Sequence, residues 1–153
     1  MKKIDIEKKV YEAIVGSVDL DAFSTATYGF APKIRRILDL SIENNDIVSP
    51  MIVVACFSKT SDKNVYVFEV SVTVEVVRDL TAIGTVETSS IVEEERENID
   101  IISDIIQNDV KLALRGTSSG INIKSEFYIP QGEESLFELM LFEIEIKKCI
   151  TSL

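Results

Sequence analysis

Fourteen residues near the middle of the chain, Val65 to Arg78, read Val-Tyr-Val-Phe-Glu-Val-Ser-Val-Thr-Val-Glu-Val-Val-Arg. Tyr66, Phe68, Val70, Val72, Val74 and Val76 fall on one side, and Glu69, Ser71, Thr73 and Glu75 on the other. Period-two alternation of β-branched and aromatic residues is the pattern of a half-buried strand. At about 3.3 Å per residue the run spans roughly 46 Å. Such a strand needs partners along its edges and an apolar cover over its Tyr/Phe/Val face. The rest of the chain supplies both. The expected fold is α+β: a mainly antiparallel sheet with long strands, packed on one face by two helices, about 4–15 and 91–115.

The partner strands are legible by the same alternation. Met51-Ile-Val-Val-Ala-Cys-Phe57 is apolar on both faces, as an interior strand requires, and Ser58–Asn64 connects it to the long strand as a hairpin. Ile121–Ile129 is a further strand, stopped by Pro130, and Gln131-Gly132-Glu133-Glu134 is a turn. Phe137–Ile150 repeats the design of the long strand: Met140, Phe142, Ile144 and Ile146 on one side, Glu143, Glu145 and Lys147 on the other. If the two long strands pair, one exposed face carries Glu69, Glu75, Glu143 and Glu145. Residues 34–43 suit either a helix from Pro32 or a strand through Ile34, Leu38, Leu40 and Ile42; the turn chemistry of Asn44-Asn45-Asp46 favours the strand.

In the helix expected over 4–15, Ile4, Tyr11, Ile14 and Val15 share a face, with Ile6 and Val10 on its flank, Asp5 as N-cap and Gly16 as stop. In the second, Ser90-Ile-Val-Glu93 has capping-box spacing and Glu93, Glu94, Glu95 and Glu97 suit the positive end of the helix dipole. Its stripe is Ile99, Ile102, Ile106 and Val110, widened by Ile101, Ile105 and Leu112, and Gly116 is the C′ candidate. Two segments read as loops. Residues 17–33 are rich in Ser, Thr, Gly and Ala, with Tyr28 and Phe30 either a partner-binding tip or a lid folded on the core. Residues 79–90 are too apolar to be simply solvated.

Composition narrows the function classes. With 153 residues the chain is most simply one domain, 1–153. No apolar run is long enough for a membrane helix. The N-terminus lacks the apolar core of a signal peptide, so the protein is expected to stay in the compartment where it is made. Cys56 and Cys149 lie in apolar runs and read as reduced thiols used as small hydrophobes. The net charge of −10, from 26 acids and 16 bases, disfavours specific nucleic-acid binding and anionic membranes.

The absence of histidine removes the commonest general base and metal ligand. No phosphate-cradling glycine loop is present. The Glu93–Glu97 group could bind a divalent cation, but consecutive helical residues point around the axis. Glu69 and Glu75 with Glu143 and Glu145 could form a glycosidase-like carboxylate pair, but alternation alone generates such a face. Asn44-Asn45-Asp46 lacks the other ligands of a calcium loop. No enzyme activity, cofactor or metal is expected.

The order of elements is a short helix, a loop and strands, then Val-Tyr-Val-Phe-Glu-Val-Ser-Val-Thr-Val, then an acidic-capped helix ending Lys111-Leu-Ala-Leu-Arg115. The closing strands Asn122-Ile-Lys-Ser-Glu-Phe-Tyr-Ile129 and Leu139-Met-Leu-Phe-Glu-Ile-Glu-Ile146 complete it. This resembles the tail-terminator and tail-completion proteins of long-tailed bacteriophages, which form head-tail connector rings. The resemblance implies a structural virion protein, a subunit of a ring that is typically a hexamer. The ring would sit on the last layer of the tail tube, end tube growth and join the tail to the connector. The implied partners are other copies of the chain, the tube protein and connector or neck proteins. DNA would pass through an acidic channel without specific binding, and Glu69, Glu75, Glu143 and Glu145 are the candidates to line it. The implied location is the tail or neck of a virion assembled in the host cytoplasm. Tyr28, Phe30, Leu80, Ile83 and Val86 are the candidate subunit or partner contacts. The alternative class is a small acidic α+β protein-binding module, antitoxin- or immunity-like, acting on a basic partner.

Overall fold

The structure, a computed structural model, describes residues 1–37, 50–77, 86–129 and 135–148, with the backbone alone at 86–89. The elements are α1 (Lys3–Val15), α2 (Val18–Tyr28), β1 (Lys33–Arg36), β2 (Met51–Ser61), β3 (Val65–Val77), α3 (Val86–Ala113), β4 (Gly120–Tyr128) and β5 (Ser135–Lys147). The strands form one sheet in the order β1-β2-β3-β5-β4. Only β1 runs parallel to its neighbour; the other pairings are antiparallel. This is the expected α+β fold.

The long strand lies at the centre of the sheet, and β3 and β5 pair without a break from Val65↔Lys147 to Val77↔Ser135. Phe68, Val70, Val72, Val74 and Val76 are buried on one face, joined by Leu136, Met140, Phe142 and Ile144 from β5 and by Ile52 and Val54 from β2. The helices cover that face. Ile6, Val10 and Ile14 of α1 and Ile102, Ile106 and Val110 of α3 close the main core, and Ile99 seals a smaller cluster with Val76 and Leu136. The α1 stripe is therefore Ile6-Val10-Ile14. Ile4 and Val15, expected inward, are about half exposed, and so are Ile101 and Leu112 of α3. The i, i+4 rows of a helix set a narrower buried stripe than its full apolar content suggests.

Three helices stand where two were expected. The stretch 17–33 is a helix over Val18–Tyr28, not a loop. Ser17 caps it, accepting the Leu20 N–H at 3.2 Å and donating its own hydroxyl to Asp109 of α3. Asp19 and Asp21 occupy its first turn, and Gly29 ends it at φ 83°, a left-handed position that suits glycine. Leu20, fully buried, is its anchor in the main core. Asp5 is not the N-cap of α1. It lies three residues inside Lys2 and accepts the Lys2 N–H at 2.8 Å, the return half of a capping box. Helix α3 begins at Val86, so Ser90 and Glu93 lie within it and the apolar segment 79–90 is in part helix. Gly116, at φ 87°, follows the helix as expected.

The strand through 34–43 is described only as far as Arg36. Leu38, Leu40, Ile42, the turn at Asn44–Asp46, Leu80, Ile83, the turn at Gln131–Glu134, and Cys149 with the end of the last strand lie outside the described residues.

Candidate functional site

The helices leave the second face of the sheet uncovered by any described element. Cross-strand register fixes its composition. From β1 outward, one row runs Lys33, Met51, Glu75, Phe137, Tyr128; the next runs Arg35, Val53, Thr73, Leu139, Glu126. A third runs Ala55, Ser71, Leu141, Lys124, and a fourth Ser58, Glu69, Glu143, Asn122. One half of the face therefore carries most of its apolar residues, Met51, Val53, Phe137, Leu139 and Tyr128, among charges of both signs, and the other half is acidic.

The fourth row contains a β-bulge. Cys56 pairs with Val70 and Ser58 with Glu69, so Phe57 has no partner across the strand. A bulge turns two successive side chains to the same side. Phe57, in step with Met51, Val53 and Ala55, lies on the helix-free face, where it is 52% exposed, and the bulge brings Ser58 to the same side. With Glu69, Asn122, Lys124, Leu141, Phe142 and Glu143 it lines a depression of about 170 Å³. A second depression, about 260 Å³, continues along Val67, Asn122, Glu143 and Glu145.

The four predicted acids do lie on this face, but not as one cluster. Glu69 stands directly opposite Glu143, and Glu145 is one step further along β5 on the same side. Glu75 is six residues from Glu69, roughly 20 Å along the strand, and accepts a hydrogen bond of 2.9 Å from the Ser135 hydroxyl. Like charges directly opposite one another weaken a sheet, and no ion pair to a described residue relieves Glu69 or Glu143. No group of three or more His, Cys, Asp or Glu that could hold a metal occurs among the described residues. The two candidate contact aromatics of the 17–33 segment, Tyr28 and Phe30, part company. Tyr28 turns inward, donating to the buried Glu95 Oε2 at 2.7 Å, whereas Phe30 is 63% exposed. Val86 is placed by its backbone at the start of α3.

Three features escaped the reading of the sequence. The bulge puts Ser58 on the face beside Phe57 and turns Lys59 to the other side, and a single-residue irregularity has no signature in hydrophobic alternation. Leu141, in step with Glu143 and Glu145, is an exposed apolar residue on their side of the sheet. At the hairpin end, Lys59 and Lys148 gather on the ring of Tyr66, with ammonium groups 4.3 and 4.9 Å from its centre. The paired Lys147-Lys148 was a visible signal for that cluster.

Besides Glu95, two more carboxylates, Glu7 and Glu138, are buried on the helix-covered side. Glu7 joins three elements: Oε1 accepts Arg36 Nε of β1 at 2.9 Å, and Oε2 accepts the Cys56 N–H of β2 at 3.0 Å. It meets that backbone group just past the last β1 pairing, Arg36↔Val54. Glu138 faces α3, 5% exposed, with Oε2 unpartnered. Burial pushes its carboxyl above the usual range and Asp100 adds to this, while the Ser125 hydroxyl and Arg96 pull the other way. Cys56 is a free, half-buried thiol, and burial pushes it up as well, away from the reactive thiolate.

No family model matches the chain, and no curated protein matches it.

Proposed function

We propose that the chain is a structural subunit that works by self-assembly, closing into a ring of the kind that a tail terminator forms at the head-proximal end of a phage tail tube. The observation that carries this reading is the helix-free face. It keeps two like charges, Glu69 and Glu143, opposite one another and leaves Phe57 and Leu141 exposed beside them. Both arrangements cost stability in an isolated domain; the paired acids suit a wall that repels phosphate, and the exposed apolar side chains suit contact with a partner protein at its edge. The acidic half, with Glu145, faces the channel and repels a phosphate backbone passing through it. The apolar half meets the neighbouring tail and connector proteins. In this reading the chain catalyses nothing.

The depression between Phe57 and Leu141, rimmed by Glu69 and Glu143, also favours a second reading, a monomeric module that holds a basic segment of another protein. Absolute mass in solution by light scattering, over a range of concentration, separates the two. The ring reading expects multiples of the subunit and a central hole in negative-stain images. A strict monomer that captures a cationic partner, with affinity falling steeply with salt, would replace it by the second.

A further inference from the structure

On the helix-covered side of this acidic chain, basic and acidic groups gather at opposite ends of the strand axis. At the β2–β3 hairpin end lie Lys59, Lys63, Lys147 and Lys148. The α1 N-terminus joins them, because Lys59 Nζ donates to the Met1 carbonyl at 2.6 Å. Lys148 Nζ donates to Ser61 Oγ at 2.6 Å. Each ammonium has three donors, and neither is paired with a carboxylate of a described residue. The nearby acids Asp5, Asp62 and Glu145 accept hydrogen bonds from the Lys2 N–H, the Lys63 N–H and the Ser119 hydroxyl, and none of them forms an ion pair with Lys59 or Lys148. At the opposite end α3 begins, with Glu93, Glu94, Glu97 and Asp100 exposed and Glu126 of β4 nearby. The one base among them, Arg96, lies over the Phe127 ring at 5.0 Å.

We propose that copies of this chain join head to tail, the Lys59–Tyr66–Lys148 end of one receiving the acidic stretch of α3 around Glu93 and Glu97 of the next. The proposal rests on the ring reading and names its interface. The thirteen residues of β3 hold the two ends roughly 40 Å apart. That is several times the screening length of about 8–10 Å at physiological salt, so the ends act as separate patches. With a net charge of −10, copies repel one another unless a basic patch meets an acidic one. A head-to-tail contact of this kind is heterologous, and heterologous contacts grow past two copies and form a ring where the rotation between copies closes. It also leaves the helix-free face clear to turn inward.

The test uses the whole chain and two exposed charge-reversed pairs, Lys59→Glu with Lys148→Glu, and Glu93→Lys with Glu97→Lys. Thermal melts confirm that each variant is folded. Wild type should exceed two copies at low salt and dissociate at high salt. Each variant alone should associate at least about tenfold more weakly. An equal mixture of the two should recover the assembly, because every reversed end then meets a complementary one. A wild type that assembles while the variants assemble equally well would overturn this interface and leave the ring standing. A mass that stops at two copies would point to an antiparallel dimer and overturn head-to-tail growth. A wild type that is monomeric at every salt concentration would overturn both.

Discussion

Glu138 shows how one residue departs from its strand's pattern. Leu136, Met140, Phe142, Ile144 and Ile146 face the core, and Glu138 occupies the same row with one oxygen unpartnered. Its carboxyl is raised in the folded state, so the native form holds a proton that the unfolded chain has already released. Its favourable contribution is complete below the ordinary carboxylate range and is lost as pH rises through the raised value. Glu138→Gln should therefore raise the melting temperature at neutral pH, with a gain on the order of 1 kcal/mol. The gain should vanish at about pH 4, which a pair of pH-resolved melting curves would show. Glu7 has the opposite standing. Its two oxygens are both used, so Glu7→Ala should cost about 3 kcal/mol by leaving Arg36 and the Cys56 N–H without their partner. Denaturant titration of the two variants checks both signs.

At the scale of elements, legibility followed the strength of the periodic signal. β3 and β5 were readable because each strictly alternates over many residues, and the centre of α3 because isoleucines recur at helical spacing. Helix α2 was not, although Ser17, Asp19, Asp21 and Gly29 are all helix-terminus residues. Its interior of Ser, Thr and Ala carries only a weak apolar stripe, and the composition reads as loop until Leu20 is seen in the core. Its stability accordingly depends on its ends. Ser17→Ala should cost about 1 kcal/mol and loosen α2 from Asp109. Hydrogen exchange should show the loss confined to 18–28. Ile106→Ala, in the shared core, should instead cost about 2–5 kcal/mol and act globally.

For the whole molecule, the covered face was legible and the uncovered one only in part. Alternation placed Glu69, Glu143 and Glu145 on one side, but which glutamates oppose each other depends on the β3–β5 register, which alternation does not carry. The sorting of charge from end to end depends on the antiparallel return of β5 and the run of α3 back to the hairpin end, which a net charge cannot convey. The proposed assembly makes one further prediction at this scale. Replacing Glu69 and Glu143 by Gln should leave the ring's mass unchanged while strengthening its retention of DNA, measured by electrophoretic shift at low salt. A loss of the ring instead would move those residues from the channel wall to an interface.

The unpaired Phe57 has a consequence for how this gene could vary. Because Phe57 and Ser58 share the same side, removing Phe57 leaves Ser58 opposite Glu69, Lys59 opposite Phe68 and Ser61 opposite Tyr66. Nearly anywhere else in β2 the loss of one codon would turn every later side chain to the wrong side. Here it should yield a folded protein one residue shorter, with a straighter strand and its lysine still on the tyrosine. The middle of a core strand is thus a place where this lineage can tolerate a deletion.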